Sequence, residues 1–135
     1  MTFLPWIKSY SVGIAKMDEQ HQLLAGMINE LYDAMKDGKG QEIINGILDR
    51  VVQYAVTHFS DEEALMETHH FPELASHREE HQEFSNQIRT FQSIIKMERS
   101  TLSMEVLIFL HNWLNHHING TDKKYGTFLN NKGVF

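Results

Sequence analysis

No cysteine occurs in the 135 residues. That absence excludes a disulfide framework, thiolate zinc sites, cysteine-ligated iron–sulfur clusters and a cysteine nucleophile. Two prolines and eight glycines are too few for low-complexity or collagen-like sequence. Long apolar runs are also missing: Val106 to Leu110 is the longest in the interior, far short of a membrane span. At the N-terminus, Phe3-Leu4-Pro5-Trp6-Ile7 is too short for the apolar core of a secretory signal before Lys8, so a cytoplasmic location without membrane insertion is expected. Positive charge is scarce. Twelve Lys and Arg stand against eighteen Asp and Glu, and a formal charge of −6 argues against a nucleic-acid partner. What the chain has in quantity is histidine, nine in all, on a length that suits a single domain with a real core.

Helical spacing accounts for nearly the whole sequence. An irregular arm over 1–17 is expected to lead into a first helix at Asp18, a suitable N-cap residue. That helix carries His21, Leu24, Ile28, Leu31 and Met35 on one stripe, and Asp37-Gly38-Lys39-Gly40 ends it, with glycine fitted to a left-handed cap. A second helix, from about Gln41 to Thr68, presents Ile44, Ile47, Leu48, Val51 and Tyr54, and continues that face with His58, Glu62 and Leu65. The third is expected to begin at Pro72 and carries His77, His81, Phe84, Ile88, Phe91 and Ile95. After a break at Arg99-Ser100-Thr101, the fourth carries Leu102, Val106, Phe109, Leu110, Trp113, Leu114 and His117 to near Gly120, and 121–135 forms a short tail. The expected fold is all-α: one domain over 1–135, with 18–120 as an antiparallel up-down-up-down four-helix bundle.

Polar groups interrupt these stripes at matching places. His21 and the pair His77 and His81 lie near helix starts, while His58 with Glu62, and His117, lie near helix ends. An antiparallel bundle brings all of them to one end. His58 with Glu62, and His77 with His81, are four residues apart and therefore one turn apart on one face. Asp122 comes five residues after His117, where the chain can turn a carboxylate back inside. Buried histidines and carboxylates are costly unless paired or bound to metal, and five imidazoles with two carboxylates exceed what hydrogen bonding alone would satisfy. Tetrahedral zinc needs three or four ligands, and calcium and magnesium prefer oxygen. Imidazole with carboxylate suits iron, and seven donors suit two metals bridged by both carboxylates. Zinc-protease chemistry is disfavoured because Arg78, not Glu, follows His77. The paired Glu-x-x-His motifs of ferritin-like sites are absent, since Glu67-x-x-His70 stands alone.

Asp18-Glu-Gln-His21, His58-Phe-Ser-Asp-Glu62-Glu63, His77-Arg-Glu-Glu-His81-Gln-Glu-Phe84 and Trp113-Leu-Asn-His-His117-Ile-Asn-Gly-Thr-Asp122-Lys-Lys-Tyr125 resemble, in order, the motifs of the hemerythrin family. The lead-in Trp6-x(6)-Gly13-Ile14-x(3)-Asp18 resembles that of its single-domain bacterial members, the bacteriohemerythrins. All seven ligand positions of the family are filled. The resemblance implies two iron ions cycling between Fe(II) and Fe(III), joined by an oxo or hydroxo bridge, with dioxygen as the reversible ligand. It implies His77, His81 and His117 on one iron, His21 and His58 on the other, and Glu62 and Asp122 bridging them. The second iron is then one ligand short, which is where dioxygen would bind.

The resemblance also implies an oxygen pocket of Leu24, Phe59, Trp113, Leu114 and Ile118, whose dryness would slow proton access. Core burial alone would equally explain the spacing of Leu24, Trp113 and Leu114. His69, His70, His111 and His116 are read as ordinary surface histidines, and the acidic runs around Asp61 and Glu79 as solvated faces, apart from Glu62. The expected function is oxygen transport, storage or delivery to an oxygen-consuming enzyme, by a monomer that is not itself an enzyme. The alternatives are a redox or oxygen sensor with a separate partner, and an oxidoreductase handling iron, peroxide or nitric oxide. Hemerythrin-like repair proteins use an added cysteine-containing segment, which zero cysteines disfavour.

Overall fold

The computed structural model describes residues 3–98 and 102–135, so the break expected at Arg99-Ser100-Thr101 lies outside the described residues. The chain forms a 3-10 turn at Lys8–Tyr10, then α1 (Ala15–Lys36), α2 (Gly40–Thr68), α3 (Leu74–Glu98) and α4 (Ser103–Trp113). A π-helical segment, Leu114–Thr121, then runs directly into α5 (Asp122–Asn131). The fold is a four-helix bundle, and contacts between helices give its direction. Gln20 and Glu30 of α1 bond Asp61 and Arg50 of α2, while Asp49 and Glu63 of α2 bond Gln92 and His81 of α3. In each pair, residue numbers rise on one helix as they fall on the other. Phe84 and Phe91 of α3 pack on Trp113 and Phe109 in the same antiparallel sense.

Three boundaries differ from expectation. Helix α1 starts at Ala15 after an N-cap at Ile14, one turn before Asp18. Asp18 is not the cap: its carboxylate accepts from the Val12 backbone N–H at 2.8 Å and from the Ser11 hydroxyl, tying the arm to the helix. Helix α3 starts at Leu74, and Pro72 lies in the turn before it. That turn is set by the end of α2, where Phe71 N–H bonds Met66 O and His70 N–H bonds Glu67 O. This is the paired bonding of a Schellman cap, with His70 at φ 57 in the left-handed position usually given to glycine. The end of α1 repeats it with Gly38 at φ 71, the glycine expected there.

The third difference is larger. The fourth helix does not end near Gly120, and 121–135 is not simply a tail, because Asp122–Asn131 is helical. No turn brings Asp122 inside. The backbone N–H of Asp122 bonds His117 O, five residues back, so a spacing of five comes close to one turn here.

Side chains buried along the stripes form a large apolar cluster that includes Leu24, Ile28, Leu31, Leu48, Val51, Phe84, Ile88, Leu110 and Leu114. Each fully buried Leu or Ile among them contributes about 1.5–3 kcal/mol. A second cluster gathers Val12, Ile14 and Met17 from the start of the chain, Met66 and Phe71 from the α2–α3 turn, and Tyr125 and Leu129 from α5. The polar layer falls between the two, with His21 between Met17 and Leu24 and Glu62 between Phe59 and Met66. Arm and C-terminal helix therefore close the end of the bundle over the histidines. At their contact a Cβ on Gly126 would lie 1.9 Å from Val12 O, so only glycine fits.

Candidate metal centre

His21, His58, Glu62, His77, His81, His117 and Asp122 are all at most 3% exposed, and the structure brings all seven together. They fall into two overlapping groups of converging donor atoms: Glu62, His77, His81, His117 and Asp122 in one, and His21, His58, Glu62 and Asp122 in the other. Both carboxylates belong to both groups, and their oxygens divide accordingly. Glu62 Oε1 lies 3.0 Å from Nε2 of both His77 and His81, while Oε2 lies 3.0 Å from His58 Nε2 and 3.5 Å from His21 Nε2. Asp122 Oδ1 lies 2.8 and 2.9 Å from Nε2 of His77 and His117, while Oδ2 lies 3.3 Å from His21 Nε2.

Hydrogen bonds alone do not account for this layer. His81 Nε2, His117 Nε2 and both Asp122 oxygens are buried without a hydrogen-bond partner among the described residues. His81 Nδ1 donates to Glu63 Oε2 at 2.8 Å and His58 Nδ1 to Gln20 Oε1 at 2.5 Å. In the neutral ring each of those bonds leaves the Nε2 lone pair aimed inward. The Nε2 atoms of His21 and His58 face each other at 3.0 Å. Lone pairs and carboxylate oxygens packed at such separations repel unless cations stand between them. About 3 Å is also the spacing of adjacent ligands held octahedrally at roughly 2.1 Å from a shared cation. The donor set, imidazole with carboxylate, fits iron, and two cations fit the two groups.

Protons neutralise the layer when no cation does. Burial, the largest single influence on His21 and His77, lowers both, but the Asp122 and Glu62 carboxylates 2.8–3.5 Å away outweigh it. His21 is raised to about 9 and His77 to about 10. Burial would raise both carboxylates, yet the surrounding imidazoles hold Glu62 and Asp122 well below the usual range.

Several residues around the donors were not singled out from the sequence. Gln20 and Glu63 orient His58 and His81, and Glu63 is itself held by Arg78 at 3.1 Å. Glu80 Oε1 stands 3.4 Å from His117 Nδ1 and accepts from Thr121 Oγ1. Asp61 accepts from Gln20. The acidic runs thus supply partners to the buried histidines or their neighbours as well as solvated faces. Tyr125, in the segment expected to be a tail, donates its hydroxyl to Glu62 Oε2 at 2.7 Å. The available signal was adjacency, since Gln20, Glu63 and Glu80 each sit next to a donor residue in the chain.

Beneath the donors, Leu24, Leu114 and Ile118 are fully buried. Phe59 lies flat on His81 with 3.8 Å between ring centroids, and half-buried Trp113 lies flat on His117 at 3.9 Å. A cleft of about 380 Å³ opens between α1 and α2, with Leu23, Arg50, Tyr54 and His58 in its lining. Outside both donor groups, His70 and His116 are exposed, and His69 and His111 are half-buried. None of the described helices is long and apolar enough to cross a membrane.

Comparison with known proteins agrees with this arrangement. Residues 12–129 match the model of the hemerythrin HHE cation binding domain. A bacteriohemerythrin of Stenotrophomonas maltophilia is 30% identical over 125 residues, covering 93% of this chain and 80% of that protein. Another, from Methylococcus capsulatus, is 28% identical over 130 residues, covering 96% and 98%. A myohemerythrin of Theromyzon tessulatum is 28% identical over 120 residues, covering 89% and 88%. The crystal structure of a wild-type hemerythrin superposes with a TM-score of 0.83 at 26% identity, covering 93% of this chain and 96% of that one. With the family model spanning nearly all of the sequence and the donor layer in place, the chain belongs to the hemerythrin family.

Proposed function

We propose that this protein binds dioxygen reversibly at a non-haem di-iron centre and serves in oxygen transport, storage or delivery to oxygen-consuming enzymes. It acts as a cytoplasmic monomer and as a binding protein rather than an enzyme. His77, His81 and His117 would hold one iron and His21 and His58 the other, with Glu62 and Asp122 shared between them. The carrying observation is the division of the two carboxylates, one oxygen of each facing each histidine group. Three imidazoles converge in one group and two in the other, so an added ligand would bind on the His21–His58 side. When bound, the iron pair supplies the electrons for reversible oxygen binding.

The chain's own residues support binding over turnover. Gln20 and Glu63 fix the His58 and His81 rings, so their inward lone pairs need no rearrangement on loading. Tyr125 holds Glu62 in place through Oε2. Apolar clusters on both sides exclude water, and Leu24, Phe59, Trp113, Leu114 and Ile118 line a dry oxygen pocket on the deep side. Limited water also limits proton access to the donor layer.

Metal analysis tests the assignment. Protein loaded anaerobically with ferrous iron is expected to retain about two ions per chain, and His117→Ala to lose the ion at the three-histidine position. Full iron content in that variant would overturn the ligand set.

A further inference from the structure

Tyr54 projects from α2 one turn before His58, in the layer beneath the donors where α1 places Leu24 three residues beyond His21. Its ring lies nearly parallel to the His58 imidazole, with 5.0 Å between centroids and 12° between planes. It is 8% exposed, and its hydroxyl oxygen is buried with no hydrogen-bond partner among the described residues. A buried hydroxyl left unpaired works against folding. Phe59 plays the same packing part against His81 with no polar atom, so packing does not require the hydroxyl. Tyr54 also lines the α1–α2 cleft together with His58 and Gln20, and is within electrostatic reach of both Glu62 and Asp122. A neutral phenol is an O–H donor at ordinary pH.

We infer that the Tyr54 hydroxyl is a hydrogen-bond donor for a small anion that enters between α1 and α2 and binds on the His21–His58 side. This rests on the di-iron reading above. Tyr54 is then a positioning residue that sets the affinity of the centre for anions, and its partner is the ligand rather than the protein.

Azide is the probe, with Tyr54→Phe as the variant. In the oxidised, iron-loaded protein, azide titrated by its absorption should bind the variant about 3- to 10-fold more weakly, the loss of one hydrogen bond. Iron content should be unchanged. Metal-free Tyr54→Phe should unfold at the same or a higher temperature than metal-free wild type, since no protein hydrogen bond is lost. Azide affinity within twofold of wild type would overturn the proposal. So would a drop of several degrees in the metal-free variant, which would reveal a protein partner, or loss of a tyrosinate-to-iron absorption band, which would make Tyr54 a ligand. Wild type that takes up no iron would remove the di-iron reading itself. Iron-loaded wild type with unaltered azide binding in the variant removes the Tyr54 assignment alone.

Discussion

Glu62 and Asp122 carry much of the chemistry at the residue scale, because each places one oxygen toward each histidine group. In the metal-free protein they keep His21 and His77 protonated well above neutrality, to about 9 and about 10. Metal must displace those protons, so loading at pH 7 should release them, and affinity should climb as pH rises toward 9–10. An unbuffered ferrous titration in a pH-stat reads this directly; uptake without proton release would contradict it. Both histidine pKa values are raised, so their contribution to metal-free stability is complete below 6.5 and is lost as pH rises through about 9 and 10. Thermal unfolding of metal-free protein should therefore fall in temperature across that alkaline window. Replacing Glu63, which accepts from His81 Nδ1 at 2.8 Å, tests the outer partners. Glu63→Gln should weaken metal binding roughly 10–100-fold in competition with a chelator. The five histidines of the buried layer and Glu62 were legible because helical spacing puts them on apolar stripes. Gln20, Glu63 and Glu80 were not, because their partners lie on neighbouring helices and helix-to-helix register is not written in one helix's periodicity.

The same limit governs the elements. Four helices and their buried faces follow from steps of three and four, but that rule cannot describe the stretch from Leu114 to Thr121. An α-helix turns about 100° per residue, which would carry Asp122 roughly 140° away from His117. The π-helical segment, with its i→i+5 bonds, winds less per residue and narrows that offset, so both donors point inward without a chain reversal. Asp122 was thus recognisable as a donor from its place in the motif, while the way it reaches the site was not. Capping was partly legible. Gly38 met the expectation for the end of α1, but the end of α2 puts His70 in the same left-handed conformation. His70→Gly should remove that strain and stabilise the protein by about 1 kcal/mol, measured by chemical denaturation of the metal-free form. An unchanged or lower stability would show that the His70 side chain makes compensating contacts.

At the scale of the whole molecule, the donor layer is enclosed between two apolar clusters, and the smaller one is built from both ends of the chain. The arm read as irregular and 121–135 as a short tail because neither carries a long helical stripe of apolar residues. Their role emerges only when Val12, Ile14, Tyr125 and Leu129 meet over the histidines. Gly126 marks that contact, with Val12 O where a side chain would begin. Gly126→Ala should push the arm off α5, lower stability by about 1–3 kcal/mol and shorten the lifetime of the oxygenated form; denaturant titration and timed absorption spectra check the two effects. The proposed reversible oxygen binding depends on this closed arrangement. Anaerobic, ferrous-loaded protein exposed to dioxygen and then deoxygenated under vacuum provides the most direct measurement. Uptake of about one dioxygen per iron pair, a coloured oxygenated form, and return to the original reduced spectrum over repeated cycles are expected. Irreversible oxidation on first exposure, with peroxide released, would contradict reversible binding.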